Sequence, residues 1–287
     1  MVYIRSKKVK GIDYAYLVKS EWDKRIKTSR QITIRYLGRA SNVQLQDVPE
    51  AYRSDPKIIS FLSKYSRNDI KKSAPVIERS HGSLFAFLSG GDVESAVKLY
   101  RECKSATSLD AFYDRLLRPV MYDVGTKWEK GELDVATEHV CSNTAHELVA
   151  AINQLHLDSG NRERILLCSP EGEMHRLPVT VLESVLRSRR YQVINASPSL
   201  PGESLLQYIR HNEPHLVMIS VTLQDNLGAA KRLARKIADR FAIPILVGGS
   251  ALANYKGDFY GSRIVSPVDN SLVDVLRLVQ SILRDAR

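Results

Sequence analysis

Glu173 and His175 stand two residues apart in the loop Ser169-Pro-Glu-Gly-Glu-Met-His-Arg-Leu-Pro178, directly after the apolar run Ile165-Leu-Leu-Cys168. A carboxylate so placed can accept the imidazole N–H, fix the tautomer and raise the basicity of the other ring nitrogen. That is how a protein prepares a histidine to ligate a metal. Read alone, a histidine in a loop is equally an ordinary surface residue. Two further loops follow later apolar runs, Ser220-Val-Thr222-Leu223 and Val247-Gly248-Gly249-Ser250. Hydroxyls and paired glycines there would let a bulky ligand approach the backbone closely, although each loop alone is also normal turn chemistry. Upstream, Trp128 is followed after nine residues by Glu138-His139. An indole can shield a reactive group and a carboxylate can accept hydroxyl hydrogen bonds; the plainer reading is a bundle-core aromatic and a solvated helix start. No GxGxxG follows the first apolar run, and the chain has no P-loop, HExxH or GxSxG. The three cysteines, Cys103, Cys141 and Cys168, lack CxxC spacing, which excludes a disulfide framework and argues against structural zinc.

The elements that must position these groups fall into three segments. Residues 162–287 alternate short apolar strands (Ile165–Cys168, Gln192–Asn195, His215–Ser220, Ile243–Val247, Arg263–Ser266) with helices near 177–189, 203–211, 225–240 and 269–284. Continuous apolar strands joined by helices imply an α/β, doubly wound parallel sheet, whose ligands sit beyond the carboxyl ends of the strands. Residues 78–157 carry helical periodicity: a short helix around Leu84, Phe87 and Leu88 closed by Gly90-Gly91, a second capped by Asp92, a third over Leu109–Trp128, and a fourth from Asp134. Short loops between them suggest a four-helix bundle. Residues 1–72 read as a small β-rich module with strands at Val2–Ser6, Tyr14–Val18 and Gln31–Leu37, a charged connection Glu21–Arg30, and a helix over 47–66 starting at Asp47 with Pro49 in its first turn. The polar stretch Arg67–Pro75 is expected to be the linker.

The chain has 287 residues and a net charge of +10, and the charge is localised. Residues 1–72 hold 17 Lys+Arg against 7 Asp+Glu, whereas residues 73–287 hold 25 of each. A basic excess confined to one module suggests contact with nucleic acid or another anionic surface. The candidate groups are Arg5, Lys7, Lys8 and Lys10 along the first strand, Lys24, Arg25, Lys27 and Arg30 in the connection, and Arg35 in the third strand. No apolar run approaches the roughly 20 residues of a membrane span, and the N-terminus lacks a signal-peptide pattern. A cytoplasmic, non-membrane protein is expected.

Taken together, the order Glu173-x-His175, Ser220-x-Thr222-Leu223, Gly248-Gly249, at separations of 45 and 28 residues, resembles the cobalamin-binding domain of methionine synthase and its relatives, where the pattern is DxHxxG, SxL, GG. The resemblance implies a flavodoxin-like domain in which His175 is the lower axial ligand to cobalt, replacing the cofactor's own tail. Glu173 would hydrogen-bond His175, Ser220 and Thr222 would meet the displaced tail, and Gly248 and Gly249 would make room for it. Two departures stand out: Glu173 occupies the usual Asp position, and Pro178 occupies that of the motif's glycine. The spacing Trp128-x9-Glu138-His139 resembles the adenosylcobalamin-dependent photoreceptor regulators. This implies a cap over the corrin in which Trp128 packs on the upper ligand, Glu138 contacts the adenosyl group and His139 can ligate cobalt after photolysis. The combined expectation is a light-responsive transcriptional regulator, not an enzyme, with adenosylcobalamin as cofactor, DNA as partner through residues 1–72, and homo-oligomers as the working form. The alternatives are a corrinoid carrier for methyl transfer and a cobalamin sensor without photochemistry. The resemblance covers residues 78–287; regulators of that kind carry a winged-helix domain where this chain has its β-rich module, which faintly resembles N-terminal segments of transposase-like proteins.

Overall fold

In the computed structural model of the chain, the described residues are 2–9, 12–23, 28–40, 43, 45–155, 163–253, 255, 257–260, 262–265 and 270–285. Val2–Val9 (β1), Ile12–Asp23 (β2) and Thr28–Arg39 (β3) form an antiparallel sheet in the order β1-β2-β3. Each strand is longer than its apolar pattern suggested, so much of the charged connection expected at 21–30 is strand. Arg5 pairs with Tyr16, and Tyr16 with Tyr36. Alternation sends Ile4, Ala15 and Leu17 to one face, where they bury against Val43, Val48 and Ile58.

The helix expected from Asp47 begins later. Leu45–Asp47 and Glu50–Tyr52 are isolated 3-10 turns, and α1 spans Pro56–Ser89. Asp55 Oδ1 accepts the Lys57 N–H at 2.8 Å, and Pro56 takes the first helical position, where a missing N–H costs nothing. α1 then runs through residues 67–75, so the expected linker is helix. Pro75 inside it forfeits one bond of a 34-residue ladder. A polar stretch and a proline thus did not mark a break in the backbone.

The chain divides into two compact units. The first comprises Met1–His81 and Leu99–Phe112, the second Gly82–Lys98 and Tyr113–Arg287. After α1 come α2 (Val93–Cys103), capped by Asp92 through the Ser95 N–H at 2.9 Å, and the short α3 (Leu109–Phe112). The second unit continues with a π-helical turn at Tyr113–Leu117, α4 (Arg118–Glu129) and α5 (Val135–Gln154). Gly131, at φ +72°, follows the end of α4, and Asp134 caps α5 through the Thr137 N–H at 2.9 Å. Two bonds tie the π turn to the layer beneath. The Tyr113 and Ser184 hydroxyls, both buried, lie 2.8 Å apart, and Asp114 Oδ2 accepts the Leu272 N–H at 2.8 Å.

That layer is the α/β part: β4 (Arg164–Cys168), α6 (Leu177–Ser188), β5 (Gln192–Asn195), α7 (Gly202–Asn212), β6 (Leu216–Ser220), α8 (Leu227–Ala238), β7 (Ile245–Gly248), β8 (Arg263–Val265) and α9 (Leu272–Asp285). Its strands are all parallel, in the order β5-β4-β6-β7-β8. This is the flavodoxin-like order, with its switch point between β4 and β6. Leu166, Val217, Ile219 and Val247 are buried, which explains why these strands read as unbroken apolar runs.

Candidate functional site

The loop after β4 is organised by one buried carboxylate. Glu173 is fully buried, and its Oε1 accepts from the His175 backbone N–H at 3.1 Å and from His175 Nδ1 at 2.6 Å. Its Oε2 accepts from the backbone N–H of Thr222 at 2.8 Å, that of Leu223 at 3.1 Å and Asn226 Nδ2 at 3.1 Å. Burial alone pushes this carboxyl up, but the hydrogen bonds from Asn226, Leu223, Thr222 and His175 outweigh it and hold the group below its usual range. An ionised Glu173 can only accept, so the His175 Nδ1 carries a proton, and in the neutral imidazole the lone pair is then on Nε2. The His175 side chain is half exposed. The Pro178 departure is harmless: α6 starts at Leu177, so the proline lies in the first turn, where its N–H is not needed.

The loops after β6 and β7 interlock. Val221 N–H donates to Gly248 O at 2.8 Å, and Ser250 Oγ donates to Thr222 O at 3.0 Å. Gly249 has φ +127°, and a Cβ there would lie 2.0 Å from Val221 O. Its missing side chain therefore serves the backbone crossing as well as any ligand.

These loops open on a cavity of about 510 Å³ within the second unit. Leu167, Met218 and Leu246 from the strands and Val179 and Leu182 from α6 form its apolar floor, and His175, Ser220, Thr222, Gly248 and Gly249 line its mouth loops. The π turn, α4 and α5 supply the opposite wall through Tyr113, Leu117, Met121, Tyr122, Glu138 and His146. Thr222 Oγ1 is buried without a hydrogen-bond partner, a polar atom that a ligand could satisfy. Glu173 stands behind His175 instead of lining the space.

Of the cap trio, only Glu138 lines the cavity. Its Oε1 accepts Ser142 Oγ at 2.7 Å, and its Oε2 lies 2.6 Å from His139 Nδ1. His139 is 71% exposed at its side chain and Trp128, in the last turn of α4, is 47% exposed; neither lines the cavity. Sequence reading missed His146, which continues a stripe Glu138, Ser142, His146 along α5. The i, i+4, i+8 spacing was the available signal. Burial, then the nearby Arg176 charge, lowers the His146 pKa. Arg176 also lines the cavity.

The helical cap and the α/β layer match the same kind of domain. Residues 83–153 and 163–264 each match a family model for a B12 binding domain. These two segments are B12 binding domains. The chain is similar to the HTH-type transcriptional repressor CarH of Myxococcus xanthus, with 26% identity over 215 residues, 73% of this chain and 71% of that one. Its fold is similar to that of the monomethylamine corrinoid protein of Methanosarcina barkeri, at a TM-score of 0.59 and 13% identity, covering 70% of this chain and 96% of that one. The residues lining this cavity fit such a cofactor: the His175 imidazole, a Thr222 hydroxyl without a hydrogen-bond partner, Ser220, and an apolar cavity behind them. No group of three or more His, Cys, Asp or Glu that could hold a metal ion occurs among the described residues.

The candidate nucleic-acid residues separate. Lys10, Lys24, Arg25 and Lys27 lie outside the described residues. Arg5 and Lys7 pair with Tyr16 and Tyr14 on the sheet face away from the core. Lys8, Arg30 and Arg35 pair with Asp13, Glu21 and Leu17, in the row that carries the core residues. No helix among the described residues is long and apolar enough to cross a membrane.

Proposed function

We propose that this protein is a cobalamin-dependent transcriptional regulator that binds adenosylcobalamin in its second unit, binds DNA through residues 1–72, and changes its DNA affinity on illumination. It catalyses no reaction in this reading. The carrying observation is the placement of the +10 excess in residues 1–72, the β sheet and the first half of α1, ahead of the B12 binding domains; similarity to a repressor supports it. When bound, adenosylcobalamin supplies a cobalt–carbon bond that light can break. His175 Nε2 would be the protein donor to cobalt, with Glu173 fixing the imidazole. Thr222 Oγ1 and Ser220 would take up polar groups of the displaced tail, and Glu138 would accept ribose hydroxyl bonds from the cap side. Glu138 would favour the adenosyl-bound state by accepting from it, and any shift of the cap would be set by the difference in that interaction between the two states. Oligomerisation coupled to that shift would convert it into a change in DNA affinity.

The second reading is a corrinoid carrier for methyl transfer, favoured by one observation: Trp128 and His139 do not line the cavity, which leaves Glu138 alone of the trio. The discriminating experiment records the absorption spectrum and duplex-DNA binding of the full chain loaded with adenosylcobalamin, before and after green light. A spectral change accompanied by altered DNA affinity is expected. Equal affinity for methylcobalamin and adenosylcobalamin, with no DNA binding, would refute the regulator and favour the carrier.

A further inference from the structure

The basic excess is concentrated further within the β module. Residues 1–40 hold 11 Lys+Arg against 3 Asp+Glu. One face of the three-stranded sheet is closed by Ile4, Ala15, Leu17, Val48 and Ile58. The opposite face is open and has its own chemistry. Tyr36 stacks at 5.1 Å from the Tyr16 ring and 6.2 Å from that of Tyr14. Beside them Arg5 Nη1 donates to Gln31 Oε1, and Gln31 Nε2 donates to the Tyr3 hydroxyl. Arg5 and Gln31 are both exposed, and one bond between them leaves most of the guanidinium's five donors for another partner. By register, this row contains no described carboxylate, whereas on the other side Glu21 already pairs with Lys19. The open face therefore presents cations, amides and rings with no opposing negative charge.

Building on the regulator reading above, we infer that this open face of the β1–β3 sheet docks in the major groove of duplex DNA, with Arg5 and Gln31 reading base edges. The groove is about 12 Å wide and admits a β-ribbon, and strands spaced about 4.8 Å apart bring neighbouring side-chain rows within that width. Arginine and glutamine are the side chains that pair bidentately with guanine and adenine. Their mutual bond holds both side chains in place before binding, which lowers the ordering cost. Tyr14, Tyr16 and Tyr36 offer ring faces and hydroxyls to thymine methyls and phosphates. Lys7 on the same face, paired with Tyr14, suits a phosphate contact that positions the sheet without reading sequence.

The test uses the full chain, loaded with adenosylcobalamin in the dark, against a random-sequence duplex pool. A preferred site is selected with the wild type, and its affinity is compared with that for unselected duplex over a range of salt. Arg5→Ala and Gln31→Ala are expected to lose about 5- to 150-fold at the selected site, the worth of one bidentate base contact, and little on unselected duplex. Arg5→Lys keeps the charge and should keep the salt slope while losing selectivity. Lys7→Ala should weaken both duplexes alike and reduce the slope by about 0.9 for the phosphate no longer neutralised. Cobalamin binding and circular dichroism report folding of each variant; a variant that fails them is replaced by Gln31→Glu, which keeps size and should also abolish selectivity. If the wild type binds no duplex, the regulator reading fails. If it binds, but Arg5 and Gln31 variants retain selectivity, or single strands bind more tightly than duplex, the face assignment is overturned while the regulator reading stands.

Discussion

Replacing Glu173 by Gln keeps the shape of the buried side chain and removes its charge, which isolates what the carboxylate does. Five donors converge on it. At about 1.5–3 kcal/mol for each hydrogen bond to a charged group, their gross sum is comparable to the whole net stability of a domain, so the cost of burying the carboxylate must offset much of it. Gln can turn its oxygen towards Thr222, Leu223 and Asn226, keeping three bonds. Its amide then points a donor at the His175 backbone N–H and Nδ1. That conflict should cost about 1–3 kcal/mol of stability, read from urea denaturation of the apo protein. The imidazole can relieve half of the conflict by moving its proton to Nε2, which removes the lone pair that a cobalt ion needs. Cobalamin affinity should fall by about 10- to 100-fold, the usual loss when a residue behind a metal ligand is changed. The lower-ligand signature in the absorption and electron paramagnetic resonance spectra should weaken. His175→Ala should abolish that signature outright while keeping much of the corrin binding. A Glu173→Gln protein with wild-type stability, affinity and spectrum would refute this account of the loop.

Gly249→Ala should destabilise the protein by about 3 kcal/mol or more, because a glycine-only backbone conformation and a clash with Val221 O coincide; near-wild-type denaturation would show that the crossing relaxes. His146 has a lowered native pKa, so the folded protein binds fewer protons than the unfolded chain just below pH 6.5. Its contribution is fully present above the unfolded value of 6.5 and is lost as pH falls through the native one, a slope that His146→Gln should flatten in apo-protein melting curves. Glu138→Gln should narrow the preference for adenosylcobalamin over methylcobalamin in titrations, whereas Trp128→Ala should leave it largely unchanged. The reverse order would place the indole in contact with the upper ligand when the cofactor is bound.

Much of the α/β layer was legible because its strands are buried on both faces. Leu166, Val217 and Val247 sit in runs that only a covered parallel sheet explains. The loops that follow β4, β6 and β7 therefore meet at one end of the sheet, and their ligand-facing residues could be read in order. Asp92 and Asp134 were legible as caps for a local reason: one side chain meets one backbone N–H three residues on. The cap geometry was not. Trp128 and Glu138 belong to different helices separated by Gly131 at φ +72°, so their spacing in sequence does not fix their relative direction. The stripe Glu138, Ser142, His146 lies within a single helix and was readable in principle, but its three residue types suggest no one chemistry. Pro75 misled because a proline signals a helix end only where the flanking turns offer nothing to preserve.

The two departures from the family pattern explain each other less than they explain the site. An aspartate at position 173 would have to serve His175 and the loop after β6 with a side chain one methylene shorter. Glu173 reaches both: Oε1 holds the histidine, while Oε2 gathers two backbone N–H groups and the Asn226 amide. The loop that presents His175 is thereby fastened to the loop that presents Ser220 and Thr222, across the switch point of the sheet. A proline at position 178 then costs nothing, because the turn is held from Glu173 and does not depend on a backbone N–H at the start of α6. Glu173 thus does more than orient an imidazole. It sets the distance between the histidine that would meet cobalt and the hydroxyls that would meet the displaced tail, and a change at 173 should disturb both together.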